Sequence, residues 1–112
     1  MERMDFYLGN SNIHGKGLFT KKAINPLEVL PVANLYDRNN KFQSDETGRS
    51  LGPMGFVNHS YAPNCHLCYL SSENGYFLRS HKLIKPEEEL TIDYDFNPDG
   101  LKKARDYNPP LK

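Results

Sequence analysis

The stretch that decides the interpretation runs from Gly55 to Cys65 and reads GFVNHSYAPNC. It passes from the apolar pair Phe56-Val57 into the polar triplet Asn58-His59-Ser60, and then into a turn at Pro63-Asn64. Taken alone, this is a polar loop that leaves an apolar strand, which is common in any globular protein. Loops held by a rigid scaffold also carry many binding sites. The stretch by itself therefore leaves both interpretations open.

The composition is that of an ordinary globular domain. The chain has 112 residues, of which 38% are hydrophobic and 25% charged, and its net charge is zero. Such a balance provides no extended basic surface, so we expect no direct nucleic-acid partner. No apolar run approaches the roughly 20 residues that cross a bilayer, and the first residues lack the apolar core of a signal peptide. We therefore expect an intracellular protein without membrane association.

The sequence gives little support for a zinc site or for a nucleophilic enzyme. Cys65 and Cys68 have C-x-x-C spacing, but zinc takes four ligands, and only His59 and His66 lie nearby. Two reduced thiols in or near a core strand are the simpler explanation, so we expect no metal. Ser60 next to His59 is a poor nucleophile–base pair, because adjacent side chains usually diverge. The acidic run 87–89 is expected to be a solvated turn.

Short strands dominate the predicted secondary structure. They are expected at 6–8, 17–20, 29–35, 65–70, 75–79 and 90–94. Pro31 indicates a sheet edge or a bulge, and residues 37–53 are expected to form a polar loop with at most a short helix. A helix is predicted with Asn97 as its cap and Pro98 at its first position, continuing from Leu101 to Asp106. The pattern I-x-P-x-E-x-L occurs twice, at 24–30 and 84–90, which predicts one local strand–turn–strand device used twice.

Three segments, in this order, resemble the SET domain of protein-lysine methyltransferases. They are the opening His14 to Phe19 (HGKGLF), the element Asn58 to Cys65 (N-H-S-x-x-P-N-C), and the ending Glu88 to Tyr94 (E-E-L-x-x-D-Y). The first is a weak signal and the other two are specific. The resemblance runs from about Tyr7 to Phe96. It implies a SET domain over residues 1–96, followed by a short C-terminal segment, 97–112, that is helical in part and covers the active site.

This resemblance implies a mainly β fold of several small sheets with one or two short helices. A pseudoknot-like threading of the C-terminal strand, which is rare in general, would bring Asn58, His59 and Tyr94 together. The implied cofactor is S-adenosyl-L-methionine, and the implied methyl acceptor is the ε-amine of a lysine in a protein substrate, such as a histone tail. The implied sites of action are the nucleus or cytoplasm, or the host cell for a viral member.

The resemblance also assigns roles to residues. The backbone of Lys16, Gly17 and Leu18 would line the cofactor, Asn58 would bind its methionine end, and His59 would meet the adenine, largely through its main chain. Tyr94 is the expected catalytic residue and also contacts the cofactor. Catalysis would rest on positioning and electrostatics, because an apolar channel and the sulfonium charge both favour a neutral lysine amine.

The implied channel walls are aromatic or apolar side chains, each of which could equally pack the core. They are Phe56, Tyr61, Tyr69, Ile92 and Phe96. Related enzymes often have Phe or Tyr at the position of Ile92, so a smaller side chain is expected to leave room for multiple methylation. Mass spectrometry that finds only monomethyl product would contradict this hypothesis.

The chain departs from the family pattern at several positions. Ala33 stands where many members have a second active-site tyrosine, for which Tyr36 or Tyr61 could substitute, and Leu27 and Glu87 replace two turn glycines. Tyr107 is a candidate lid aromatic. Small stand-alone viral and microbial members without cysteine-rich zinc modules are the best comparison, and some of those form homodimers. A cofactor- or peptide-binding module with little turnover, or methylation of another amino compound, are the alternatives.

Overall fold

Short strands in three small sheets form the part of the chain that the computed structural model describes, namely residues 5–36, 52–98, 101–107 and 109–111. The mainly β fold expected from the sequence is confirmed. Most of the predicted loop over 37–53 lies outside the described residues. The strands are β1 (Phe6–Asn10), β2 (Lys16–Thr20), β3 (Val29–Leu35), β4 (Asn58–His59), β5 (Cys65–Leu70), β6 (Gly75–Ser80) and β7 (Thr91–Ile92).

The two larger sheets are antiparallel. β1 and β2 form a hairpin, and the second sheet has the order β3-β6-β5. β5 and β6 are joined across a 3₁₀ turn at Ser71–Glu73, at the position predicted for a hairpin turn. Pro31 lies in the edge strand β3, and the register between β3 and β6 shifts between Val29 and Ala33. The sequence had indicated an edge or a bulge here, and both are present.

The third sheet joins two strands that are distant in sequence. β4 and β7 are parallel, with Asn58 opposite Thr91. The residues just before β7 also bond to β2, where the Leu90 N–H donates to the Leu18 carbonyl oxygen at 2.8 Å. The C-terminal chain therefore runs between β2 and β4. This crossing brings the end of the chain beside the segment Asn58-His59.

The repeated I-x-P-x-E-x-L device pairs with itself. Ile24 and Ile84 form an isolated antiparallel bridge with two N–H···O bonds of 2.9 Å. Each copy then turns through a residue with positive φ, Leu27 at 65° and Glu87 at 69°. These are the two positions where the family pattern has glycine, which adopts such a conformation without steric cost. Leu27 and Glu87 therefore adopt a backbone conformation that is favourable for glycine but strained for residues with a side chain.

The buried apolar side chains of the strands and turns form one core. Its members are Leu18, Ile24, Leu30, Val32, Met54, Val57, Cys65, Leu78, Ile84, Leu90 and Ile92. Burial alternates along β3, where Leu30, Val32 and Asn34 point inward. Such alternation is the period of a strand with one face on the core.

Two predicted elements are shorter than expected. The helix predicted from Leu101 to Asp106 is wrong: Lys103 is extended (φ −91°, ψ 164°), so only a 3₁₀ turn forms at Ala104–Asp106. The strand predicted over 90–94 ends at Ile92, because the Asp93 side chain accepts the Asp95 N–H at 2.9 Å and caps a 3₁₀ turn at Tyr94–Phe96. Nowhere in the described ranges is there a helix with the length and apolar character to cross a membrane.

Candidate active site

The β4–β7 pairing positions His59 next to Tyr94. The Tyr94 N–H donates to His59 Nδ1 at 3.0 Å, and the Tyr94 hydroxyl donates to the Val57 carbonyl oxygen at 2.5 Å. The centroids of the two rings are 5.2 Å apart. Two residues that the sequence placed in one site are therefore in direct contact, and the phenol is held at both its backbone and its hydroxyl.

The His59 side chain is 3% exposed and has one unpaired nitrogen. Because Nδ1 accepts a backbone N–H, the proton of the neutral ring is on Nε2. This N–H is buried and has no hydrogen-bond partner within the described residues. Asp93 Oδ1 lies 4.0 Å from Nδ1, but this approach is not an ion pair while Nδ1 acts as an acceptor. Tyr61 packs at 90° to the ring, with centroids 4.3 Å apart.

The Asn58 amide nitrogen is surrounded by acceptors. It lies 3.0 Å from the His14 carbonyl oxygen, 3.1 Å from the Lys16 carbonyl oxygen and 2.8 Å from Glu89 Oε2. Three acceptors around this nitrogen also fix which side-chain atom is nitrogen and which is oxygen. The two amide hydrogens are therefore committed to the protein, and the side chain can offer a ligand only its carbonyl oxygen.

Glu89 is a site residue that the sequence analysis missed. Its carboxylate accepts from Ser11 Oγ at 2.8 and 2.9 Å as well as from Asn58. A Cβ on Gly17 would lie 2.3 Å from Glu89 Oε2, so any side chain at this position would displace the carboxylate. No local pattern links Ser11, Gly17 and Glu89, because β2 and the C-terminal chain meet only in the folded protein.

The acidic run is only in part the solvated turn that was expected, because Glu87 is exposed in the turn but Glu88 and Glu89 are half-buried. Glu87 accepts from the Tyr7 hydroxyl, and Glu88 accepts from Asn64 Nδ2 at 3.1 Å and from the Lys85 N–H at 3.0 Å. The hydrogen bond from Tyr7 to Glu87 raises the pKa of that phenol. All three carboxylates of the run therefore attach the C-terminal turn to other parts of the fold.

Asn64 and Cys65 support the site from below. Asn64 Oδ1 accepts the Thr91 N–H at 2.9 Å, and its Nδ2 donates to the Glu89 carbonyl oxygen at 2.8 Å. The Cys65 side chain is completely buried, and burial, with a smaller effect of Glu88, raises the pKa of its thiol to about 12. A thiol with this pKa is not a nucleophile at neutral pH, so both residues shape the loop.

Tyr94 lines a narrow cavity of about 30 Å³. The Tyr107 ring forms part of its wall, with its centroid 5.9 Å from that of Tyr94, where a lid aromatic was expected. Asn34, which is 4% exposed, lines it rather than Ala33. The lining residues are Asn34, Met54, Gly55, Val57, Leu67, Tyr76, Ile92, Tyr94, Asn97, Leu101, Lys102 and Tyr107.

Three of the channel residues predicted from the sequence, Tyr61, Ile92 and Phe96, line one groove, and the structure separates the other two, Phe56 and Tyr69, from them. Ile92 lies in the wall of the Tyr94 cavity. Tyr61 is 54% exposed beside His59, and Phe96 is 83% exposed. Phe56 lines a different, apolar groove, and Tyr69 lines a depression shared with Tyr36. The phenol that accompanies Tyr94 and Tyr107 in the cavity is that of Tyr76, which the sequence analysis did not single out.

A larger groove of about 500 Å³ adjoins the Tyr94 cavity and shares the side chains of Leu67, Tyr76 and Ile92 with it. His66 and His81 lie on its rim, with their Nδ1 atoms 3.2 Å apart. Burial, together with His81 and Arg79, lowers the pKa of His66. The small cavity and the groove therefore lie on either side of these three shared residues.

Comparison of the sequence with known proteins identifies the family. A family model described as the SET domain matches residues 31–95, which include β4, β7 and Tyr94. The chain belongs to the SET-domain family. The human and mouse proteins named histone-lysine N-methyltransferase 2D are each 30% identical to it over 117 aligned residues, or 81% of this chain. The chain spans about 2% of the length of these curated relatives.

A solved structure gives independent support for the fold. This SET-domain chain resembles a proposed histone methyltransferase of Plasmodium falciparum with a TM-score of 0.61. The similarity covers 83% of this chain and 95% of that one, at 21% sequence identity. At this identity the similarity establishes the arrangement of the sheets and not the chemistry.

Proposed function

We propose that this SET-domain chain transfers a methyl group from S-adenosyl-L-methionine to the ε-amine of a lysine in a protein substrate. The observation that carries the proposal is the contact between β4 and the turn after β7. It brings His59, which follows Asn58 in β4, against Tyr94, which lines the narrow cavity and is bonded to both His59 Nδ1 and the Val57 carbonyl. The names of the human and mouse relatives and the family match support the same reaction.

The residues around Asn58 fit the methionine end of the cofactor. With its amide hydrogens committed, Asn58 offers an acceptor oxygen beside the Glu89 carboxylate and the carbonyl oxygens of His14 and Lys16. A cluster of acceptors with one negative charge suits an ammonium group. The buried, unpaired Nε2–H of His59 is a donor that a ligand with acceptor nitrogens would satisfy. The bound cofactor supplies an electrophilic methyl group.

The chain's own contribution to the reaction is to orient the amine. Because the Tyr94 hydroxyl donates its proton to the Val57 carbonyl oxygen, the phenol oxygen presents lone pairs to a group in the cavity. An amine N–H can donate to that oxygen, and its nitrogen lone pair then points away from the tyrosine. The apolar walls formed by Met54, Leu67 and Ile92 disfavour a charged ammonium and so favour the reactive neutral amine.

For the substrate we propose a lysine in a histone tail or another intracellular protein, reached inside the cell. The relatives' names support a histone, and the larger groove next to the Tyr94 cavity offers room for a peptide. We also propose that the chain forms a homodimer, because its core is small. Neither assignment is needed for the transfer step itself.

The proposal is tested with purified protein, tritiated S-adenosyl-L-methionine and a peptide array that includes histone tails. Label on lysine-containing peptides, lost when the lysine is replaced by arginine, supports the proposal. Cofactor binding by calorimetry without label on any peptide or protein would identify a binding module instead. Label on a free amine but on no peptide would indicate that the substrate is a small amino compound and not a protein.

A further inference from the structure

Asn97 carries an unpaired acceptor in the wall of the Tyr94 cavity. The residue follows the 3₁₀ turn Tyr94–Phe96, and its N–H donates to the Tyr94 carbonyl oxygen at 3.0 Å. It is 8% exposed and lines the cavity together with Tyr94 and Tyr107. Its Oδ1 is buried and has no hydrogen-bond partner among the residues that the structure describes. A buried acceptor of this kind calls for a donor.

The orientation of the Asn97 amide is fixed by its other end. Nδ2 donates to the Lys102 carbonyl oxygen at 2.7 Å, so a rotation that exchanged the nitrogen and the oxygen would place two acceptors against each other. The residues that line the cavity therefore include two whose oxygens have lone pairs and whose donors are committed elsewhere, Tyr94 and Asn97. Its volume of about 30 Å³ admits a group no larger than a water molecule or the end of an amine.

We infer that Asn97 Oδ1 accepts an N–H from the ε-amine of the lysine that is methylated, and that this bond limits how many methyl groups are added. The inference rests on the proposed function. Asn97 is thus assigned as a residue that contacts the substrate nitrogen and sets product specificity.

The count of N–H groups explains the limit. The neutral amine forms the new N–C bond with its lone pair as the methyl–sulfur bond breaks, the thioether leaves, and the extra proton passes from nitrogen to solvent. With the lone pair directed at the methyl carbon, an unmethylated amine has two N–H groups for Tyr94 and Asn97. A monomethyl amine has one, which pairs with Asn97 because the Tyr94 hydroxyl is already bonded to the Val57 carbonyl, and a dimethyl amine has none. The reaction of a dimethyl amine therefore leaves the Asn97 oxygen unpaired, and its methyl groups crowd a cavity of about 30 Å³.

The expected end product is dimethyl-lysine, and the comparison of Asn97→Leu with Asn97→Asp tests the assignment. Both variants lose the donor to Lys102, but only Asp keeps an acceptor oxygen. In each we would measure kcat/KM on peptides with unmethylated and dimethylated target lysine. The ratio of dimethyl to unmethylated turnover should rise about tenfold in Asn97→Leu, as expected for removing one buried acceptor, with trimethyl-lysine appearing by mass spectrometry. Asn97→Asp should keep the low wild-type ratio.

The ratio within each variant cancels a general loss of folding or cofactor binding. An unchanged ratio in Asn97→Leu, or the same rise in both variants, would overturn the assignment and leave the Tyr94 reaction intact. Trimethyl-lysine as the main wild-type product would also overturn it. Absence of transfer by the wild-type protein to any peptide would overturn the proposed function, and this inference with it.

Discussion

The close contact between Gly17 and Glu89 predicts a strong coupling between two residues that are far apart in sequence. In Gly17→Ala the new Cβ would lie 2.3 Å from Glu89 Oε2 and 3.2 Å from Ser11 Cβ. The carboxylate must then retreat by about 1 Å to reach an ordinary contact distance. Such a shift breaks its bonds from Ser11 Oγ and Asn58 Nδ2, which are 2.8–2.9 Å and 2.8 Å long.

The expected cost follows from those bonds. Hydrogen bonds to a charged group contribute about 1.5–3 kcal/mol each, and the half-buried site and the entropic gain of Gly→Ala in the unfolded chain reduce the sum. We expect Gly17→Ala and Glu89→Ala each to lower the free energy of unfolding by about 2 kcal/mol. In the double variant the clashing carboxylate is gone, so Gly17→Ala should lower the free energy of unfolding by less than about 0.5 kcal/mol beyond the effect of Glu89→Ala.

The assay is urea unfolding, followed by circular dichroism, of the wild type, both single variants and the double variant. Gly9→Ala is the matched control. Gly9 lies opposite Gly17 in the β1–β2 hairpin, and its Cβ would meet the Phe19 ring at 3.2 Å rather than Glu89. Its effect should add to that of Glu89→Ala. Simple additivity of Gly17→Ala with Glu89→Ala would refute the packing account of this site.

Two further predictions concern stability. Leu27→Gly should raise the free energy of unfolding by about 0.5 kcal/mol, because it relieves a positive φ of 65° at a side chain that is 61% exposed. The control is Leu83→Gly, at a similarly exposed leucine without a positive φ, which should lower the free energy of unfolding. A lower free energy of unfolding in both variants would contradict the strain argument. Burial raises the pKa of Cys65 from 9.0 to about 12, so its thiol stays protonated to higher pH in the folded protein than in the unfolded one. Its contribution to the free energy of unfolding is therefore complete below pH 9 and is lost as the pH rises towards 12. Cys65→Ala should lose less stability than the wild type over that pH range, and identical pH profiles would refute the assignment.

Local patterns predicted the local elements. The β5–β6 hairpin follows from two β-prone runs around a polar turn, and the place of Pro31 from its missing N–H. The proximity of Asn58 and Tyr94 came from the family resemblance, since nothing in either segment specifies a parallel pair across the intervening hairpin. The family pattern pointed to Ala33 as the position of a second tyrosine, but Asn34, which continues the inward alternation of Leu30 and Val32, lines the cavity instead.

Other parts of the site were beyond reach of the sequence. Glu89 and Ser11 are joined by a contact that exists only after the C-terminal chain has passed between β2 and β4. The same holds for Tyr76, whose place in the cavity depends on the sheet order β3-β6-β5. A signal was present for Asn34, because a polar residue at the inward position of an otherwise apolar alternation is unusual. Sequence reasoning therefore finds such positions best where a strand pattern is broken.

The most direct test of the central claim is methyl transfer by Tyr94→Phe, measured together with cofactor affinity. Removing the hydroxyl deletes the bond to the Val57 carbonyl oxygen and the lone pairs that we propose to orient the amine, and leaves His59 Nδ1 with its backbone donor. Transfer of label from S-adenosyl-L-methionine to a substrate peptide should fall by at least about 100-fold, a loss typical of removing one oriented catalytic group. The dissociation constant of the cofactor should change little. Wild-type rates of transfer in Tyr94→Phe would contradict the account.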